Sequence, residues 1–371
     1  MNAQNLDNKP KVMKESKNKI KVEFDRTPLK ERLKAKFLSM YFLTKVLIYI
    51  LRLVLLIGVS YVVLFPFFSQ IAGSFMGPED FIDATVRLIP KHFTLDIYKA
   101  VWTELGYMSA FANTLFLSLS TALIQTFICS FIAYGLAKFK FKGNNIVFML
   151  VVLTLIVPHQ TLQLSLFTKF KYFDIFGIFQ FLSGEGIKLF GETRYLATGV
   201  NLIPEAWDKF TANGLDLTNS YWPFILMSLS GLAFKNGLYI FMLRQFFRGV
   251  PDELEESAYI DGSGVINTFF RIILPISVPM MITVFLFSFS WQWTDSFYTM
   301  LFLPSKDAPD LMVDLVKVPP SLTKEYPGQG LYYSAIRNTC GLMIIAPLVV
   351  IYLFCQKYLV QGIERSGLTA D

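Results

Sequence analysis

Glu256-Ser257-Ala258-Tyr259-Ile260-Asp261-Gly262, followed ten residues after the glycine by Ile272-Ile273-Leu274-Pro275, is a polar interruption between two long apolar runs. Its local chemistry predicts a short capped helix. Pro251 suits a first helical turn, and Asp252, Glu253, Glu255 and Glu256 put negative charge at the positive end of the helix. Ser257 and Ala258 are small, so a partner surface can come close. Gly262 permits the left-handed residue that ends a helix, Ser263 can cap a second one, and Leu274-Pro275 marks the entry to the next apolar span. Arg244 and Arg248 flank the segment and can pair with its acids or with a partner. A capped amphipathic surface helix, common in membrane proteins, is the plainer reading.

Outward from this segment the chain reads as membrane. Of its 371 residues 53% are hydrophobic, 16% aromatic and only 17% charged, with a mean hydropathy of +0.46. A soluble domain carries about 25% charged residues. Cys129, Cys340 and Cys355 are scattered through apolar runs, which gives neither a disulfide framework nor metal-ligand spacing. The net charge of +6 does not indicate nucleic acid, because the bases concentrate before an apolar span, where orientation signals belong. The first apolar run starts too far along the chain, and is too long, for a secretory signal.

An all-α membrane protein with six transmembrane helices is therefore expected, since lipid-exposed backbone must bond within its own segment. The spans fall near Val46–Ile71, Phe111–Ala137, Ile146–Phe167, Tyr221–Leu243, Ile276–Leu303 and Ile336–Val360, each of roughly bilayer length. The organisation follows: 1–45 a basic cytoplasmic lead-in whose first 36 residues read as a solvated tail; 46–171 spans 1 to 3; 172–220 an extracytoplasmic insertion; 221–365 spans 4 to 6 with the cytoplasmic loop 244–275; 366–371 a C-terminal tail. Lys138, Lys140 and Lys142, then Arg244, Arg248 and Arg271, then Lys357 and Arg365 place both termini in the cytoplasm. Pro66 and Pro158 should kink their helices, as tolerated membrane prolines or as gating points. Residues 175–215, with Ser183-Gly184-Glu185-Gly186 and Pro204-Glu205-Ala206-Trp207, are too polar to span and rather aromatic for disorder.

The opening segment resembles the EAA loop of the membrane subunits of ATP-binding-cassette importers, the cytoplasmic elbow that docks onto the ATPase. Ser257 stands where the family more usually has Ala. Thr94-Leu95-Asp96-Ile97-Tyr98, Asn113-Thr114, Ala133-Tyr134-Gly135-Leu136-Ala137-Lys138, Leu243-Arg244-Gln245-Phe246-Phe247 and Gln356-Lys357-Tyr358-Leu359-Val360-Gln361-Gly362 extend the likeness to carbohydrate importer permeases of type I. The resemblance implies a bacterial cytoplasmic-membrane subunit forming half of a sugar-translocating pore, the sugar being an oligosaccharide. It implies a second homologous permease, two ATPase subunits and an extracytoplasmic sugar-binding protein as partners. On it, Glu256, Ser257, Ala258, Asp261, Gly262, Ile272, Leu274 and Pro275 form the ATPase-docking loop. The chain has no phosphate-binding Gly-x-x-x-x-Gly-Lys-[Ser/Thr], so ATP and Mg belong to the partner and no cofactor or metal is expected here.

A sugar needs aromatic faces and hydrogen-bonding side chains. Trp291, Asp295 and Tyr298 at i, i+4 and i+7 share a helical face, with Gln292 and Trp293 alongside, about 29 Å along the helix from Ile276. They line the pathway or form an interfacial aromatic belt. Lys235-Asn236 is the other intramembrane polar point; about 12 Å from Leu243, Lys235 either faces the pathway or snorkels to headgroups. His92 and His159 are isolated and share no motif. Two rivals remain, a permease for a non-sugar solute and a stand-alone secondary transporter. A membrane enzyme finds no His-Glu-x-x-His, Gly-x-Ser-x-Gly or paired intramembrane carboxylates to support it.

Overall fold

A computed structural model describes residues 11–15, 19–23, 40–174, 187–189, 192–194, 215–233 and 235–365. The expected insertion therefore lies mostly outside the described residues, as do the tail 366–371 and much of the basic lead-in. The chain divides into two compact units, Met1–Ser69 and Gln70–Asp371.

In the first unit, β1 (Lys11–Glu15) and β2 (Lys19–Glu23) pair antiparallel. The register sets Val12 opposite Val22, Lys11 opposite Glu23 and Glu15 opposite Lys19. The hairpin lies inside residues 1–36, expected as a solvated tail; in β2 apolar and charged residues alternate with the strand period. The same unit holds most of α1 (Met40–Gly73), a helix that continues through Pro66. Its stretch Thr44–Gly73 is long and apolar enough to cross a bilayer.

The second unit is helical. In chain order it contains α2 (Asp96–Glu104), α3 (Tyr107–Lys138), α4 (Asn144–Ile156), α5 (Gln163–Lys171), α6 (Trp222–Ser230), α7 (Asn236–Arg248), α8 (Glu253–Ile260), α9 (Val265–Trp293), α10 (Phe297–Phe302), α11 (Pro320–Glu325) and α12 (Gly330–Arg365). A second hairpin, β3 (Ile187–Leu189) with β4 (Glu192–Arg194), adds the other strands. Among the described residues four helices are long and apolar enough to cross a bilayer: Thr44–Gly73, Tyr107–Lys138, Val265–Trp293 and Gly330–Val360.

Two expected spans are interrupted. The third is broken at Pro158 into segments bent by 95°, because proline has no N–H to donate and its ring excludes a helical residue before it. The fourth is split into α6 and α7. Gly231 at φ 73° ends α6, with Leu232 N donating to Met227 O (3.2 Å) and Gly231 N to Ser228 O (3.3 Å). These are the two bonds of a Schellman ending. Lys235, also left-handed at φ 67°, starts α7. Hydropathy averages over such turns and does not register them.

The helix α3 is the hub, with α6, α7 and α9 packed along it and α12 against α9. Most of its buried stripe is small, with Ser118, Thr121, Ala122, Thr126, Cys129, Ser130 and Ala133, while Leu117, Tyr134 and Leu136 are among its larger buried residues. Its large residues Phe116, Leu119, Leu123, Phe127 and Phe131 face outward. Lipid is as apolar as any side chain, so close backbone approach decides which face packs inward. Two of its hydroxyls return to their own helix, Thr121 Oγ1 to Leu117 O (2.7 Å) and Ser130 Oγ to Phe127 O (2.7 Å). Gln125 is the buried cross-link: its Nε2 donates to Ser228 Oγ (3.1 Å) and its Oε1 accepts from Ser288 Oγ (2.8 Å), joining α3, α6 and α9.

Between α1 and α2, buried Asp80 gathers the loop. Its Oδ2 accepts from Lys91 N and His92 N (3.0 Å each), and its Oδ1 lies 2.7 Å from His92 Nδ1. Burial pushes the Asp80 carboxyl up, but the bonds from His92 and Lys91 prevail and hold it below the usual range. The Asp80 hydrogen bond raises His92, and exposed Glu79 stands 3.5 Å from its Nε2.

Two outcomes follow. A Cβ on Gly237 would sit 2.4 Å from Thr154 Oγ1 and 2.9 Å from Val151 O. Helix propensity favours Ala over Gly by about 1 kcal/mol, but a clash with backbone cannot be relieved by a rotamer. Gly237→Ala should lower stability by about 1–3 kcal/mol, read as a lower Tm in detergent, with Thr154→Ala in the same chain recovering only part. The Asp80–His92 link has its own pH window. The Asp80 contribution is present above about pH 3.9 and lost as pH falls through its lowered pKa; the His92 contribution is complete below about pH 6.5 and lost as pH rises through its raised pKa. Amide exchange over 76–93, corrected for intrinsic rate, should be slowest between these limits, and Asp80→Asn should remove the alkaline limb.

Candidate functional site

The loop between α7 and α9 folds from local rules. At the start of α8 the Asp252 carbonyl accepts from Glu255 N and Glu256 N (3.0 Å each), with Glu253, Glu255 and Glu256 in the first turn. Pro251 precedes this turn rather than occupying it. The helix ends in a second Schellman motif: Ser263 N donates to Ala258 O (2.9 Å), Gly262 N to Tyr259 O (3.0 Å), and Gly262 has φ 81°.

Two expectations are corrected here. Extended Gly264, not Ser263, precedes α9, and Ser263 Oγ accepts from Asn267 Nδ2 instead (2.7 Å). Nor does Leu274-Pro275 mark the entry to a span. The helix already begins at Val265, passes through a π-turn at Phe269–Ile273 and ends at Trp293, short of the expected Leu303. The wider turn lies where the Pro275 ring would otherwise meet the Arg271 carbonyl.

The side chains of α8 divide cleanly. Glu255 and Ala258 are buried, so Ala258 serves packing within the chain and not a partner's approach. Glu256, Ser257, Asp261 and Gly262 are exposed, together with Leu254, Tyr259, Ile260, Val265 and Ile266. Ile272 and Leu274 are half-buried and Pro275 exposed. Arg244 does not reach the acids: it is buried, with Nε donating to Leu136 O (3.2 Å) and its guanidinium 3.7 Å from the Phe148 ring centre. The pairing cation is Lys138, from the last turn of α3. Its Nζ donates to Val250 O and Asp252 Oδ1 (2.6 Å each) and lies 3.8 Å from Glu255 Oε1. That hydrogen bond holds the Asp252 carboxyl low. Burial raises Glu255 against the opposing pull of Lys138.

A second polar region lies where α9 meets the broken span. Trp291, Gln292, Asp295 and Tyr298 line one cavity of about 20 Å³, together with Gln125, Tyr239 and Ser288. Such a volume admits about one water molecule. The expected single helical face is not continuous, because α9 stops at Trp293, yet the named residues still meet. Trp293 does not join them: its Nε1 donates to Ile344 O (2.9 Å) and its ring stacks on Phe289 in the core. Asp295 Oδ2 accepts from Thr299 N (3.1 Å), closing the first turn of α10.

Lys235 does not snorkel. Its Nζ lies 4.7 Å from the Trp291 ring centre, and it lines a neighbouring cavity of about 70 Å³ with His159 and Thr154. Asn236 is buried beside it, its amide atoms unbonded among the described residues, and it faces neither cavity. His159, isolated in sequence, reaches Tyr298: Nδ1 and the Tyr298 hydroxyl are 2.8 Å apart. Gln125, Tyr239, Ser288 and His159 were missed from sequence. Gln125 had a signal, a lone amide in the middle of an apolar span.

Residues 125–365 match the family of binding-protein-dependent transport system inner membrane components. The chain belongs to this family. It is thus a multi-pass permease of the bacterial inner membrane and a transporter component. It is 28% identical over 292 residues to the alpha-glucoside transport system permease protein AglG of Rhizobium meliloti (strain 1021), covering 79% of this chain and 64% of AglG. It is also 28% identical to the arabinooligosaccharides transport system permease protein AraQ of Bacillus subtilis (strain 168), covering 83% of this chain and 92% of AraQ. The fold is like that in the crystal structure of a bacterial ABC transporter involved in the import of the acidic polysaccharide alginate: TM-score 0.59, 17% identity, 85% of this chain and 97% of the other.

The ending of α8 is testable alone. Gly262 has open space around its Cα, so Gly262→Ala meets no clash and only the left-handed backbone opposes it. The variant should lose about 1–2 kcal/mol of local stability, read as faster amide exchange over 253–263 at unchanged global Tm.

Proposed function

We propose that this permease forms half of the translocation pore of an ATP-driven, binding-protein-dependent importer of sugars, an oligosaccharide being the cargo class. The other half is a second homologous permease. Two ATPase subunits sit at the cytoplasmic face, carrying the ATP and Mg, and an extracytoplasmic protein delivers the sugar. Both termini and the loop 244–275 lie in the cytoplasm. Residues 172–220 form an extracytoplasmic insertion between 46–171 and 221–365, flanked at the ends of the chain by the tails 1–45 and 366–371.

The observation that carries this reading is α8 itself. A rigid eight-residue helix is fixed by Glu255 and Ala258 on its inner side. The loop offers Leu254, Tyr259 and Ile260 of α8 and Val265 and Ile266 of α9 beside its acids, with Ile260 86% exposed. An apolar patch rimmed by charge suits a protein partner. Glu256, Ser257, Asp261 and Gly262 form its contact face, while Ala258, Ile272, Leu274 and Pro275 hold the loop and the helix it joins. The cavity around Trp291, Gln292, Asp295 and Tyr298, flanked by Lys235, is the chain's share of the pathway. Trp293 and Asn236 support it from behind. The cargo class is supported by the sugar importers among the relatives and by a cavity that sets the amides and hydroxyls of Gln125, Ser288, Gln292 and Tyr298 beside the Trp291 indole.

The decisive experiment is recovery of partners from membranes with the full chain tagged, native against Gly262→Asp. The native chain should bring down an ATPase and a second permease, and the variant should lose the ATPase alone. A native chain that brings down no ATPase would make it a self-sufficient carrier instead.

A further inference from the structure

We propose that Lys138 is the positioning residue that carries movement of α8 into α3, so that the docking loop drives the cleft through this side chain; the inference rests on the docking reading above. The covalent connections of α8 are poor transmitters. On one side it hangs from Gly249-Val250-Pro251, and on the other from Gly262-Ser263-Gly264, so glycine-bearing turns separate it from both α7 and α9. Lys138 bypasses both turns. Its side chain is 5% exposed, and its ammonium binds the chain at the entry of α8 twice, at Val250 O and Asp252 Oδ1, with Glu255 Oε1 next to them. An ammonium has three donors and no acceptor; two of them serve Val250 O and Asp252 Oδ1, and Glu255 Oε1 at 3.8 Å adds charge attraction without a hydrogen bond. A cation in the last turn of α3 also suits the negative end of that helix.

From Lys138 the helix runs unbroken to Gln125, about 20 Å away at 1.5 Å per residue. Gln125 is the residue that bonds Ser228 of α6 and Ser288 of α9 and lines the cleft. One rigid element therefore has the loop's anchor at one end and the cleft's cross-link further along. The plain alternative is that Lys138 only stabilises the helix end or sets orientation. That role requires a positive charge but not its bonds to Val250 and Asp252.

The test uses the complex recovered on the tagged full chain, with Cys129, Cys340 and Cys355 replaced by Ala. Spin labels go at Met108→Cys, exposed in the far part of α3, and Leu331→Cys, exposed at the start of α12. The distance between labels is measured without nucleotide and with ATP, Mg and vanadate. The native chain should show a nucleotide-driven shift. Lys138→Met should recover as much ATPase yet lose at least half of that shift, and Lys138→Arg should restore most of it. Asp252→Ala leaves the lysine in place and removes only an exposed acceptor, so it should reproduce the loss even if Lys138→Met does not fold. A full shift in Lys138→Met or Asp252→Ala, or no shift in the native complex, overturns the proposal. Failure of the native chain to recover any ATPase overturns the docking reading instead, and this inference with it.

Discussion

A helix that breaks inside a bilayer leaves peptide groups that lipid cannot bond. The rest of this structure is arranged around where such breaks are tolerated. Two expected spans break, one at Pro158 and one between Gly231 and Lys235, and the side chains next to both breaks converge. His159 meets Tyr298, and Lys235 lies over Trp291. The interruptions are thus covered by protein and by each other. The same residues that cover them are polar, so the requirement that satisfies the backbone also creates the only kind of place in a membrane where a polar cargo can be met.

The core follows a rule different from that of soluble proteins. Burial of large apolar residues gains nothing against lipid, so α3 turns its phenylalanines outward and its serines, threonines and alanines inward. Close packing then makes single atoms decisive. Gly237 lies so close to α4 that no Cβ fits, and a Cβ on Gly231 would come within 2.8 Å of Ile132 on α3. Those two glycines flank the turn in the broken span, and they hold it against its neighbours on both sides.

How much of this was legible depends on the range of the interaction. The long apolar runs, the capped helix at Glu253–Ile260 and its glycine ending are local, and the residues declare them. Pro158 declared a kink, since a missing N–H is visible in sequence, but not a bend of 95°, and Pro66 carries the same signal in a helix that continues. The break at Gly231–Lys235 was hidden, because an apolar average over twenty residues does not notice a left-handed pair inside it. Trp293 could have been excluded from the cleft by periodicity alone: two residues beyond Trp291 is about 200° around a helix, and the structure turns it into the core. Lys138 could not have been assigned its role this way. A lysine after a span reads as an orientation signal whatever it touches, and its partners lie over a hundred residues away. The arginines nearer to the acids were the local guess, and Phe148 and a backbone carbonyl claimed Arg244 instead.

The size of the cleft decides what this chain can do by itself. Small-molecule sites are typically about 300–1,000 Å³, and the two cavities here are about 20 and 70 Å³. They adjoin at the Lys235–Trp291 contact. On the proposed pathway, a sugar ring enters only when that contact opens, which means moving the turn between α6 and α7 away from α9. The turn is suited to this, with a left-handed residue at each end in place of continuous helical bonds. Its position is set through Gly231 against α3, and α3 is the helix that Lys138 joins to the proposed docking loop. Cavity and proposed docking loop are therefore joined through one continuous helix, bonded near one end through Lys138 and further along through Gln125.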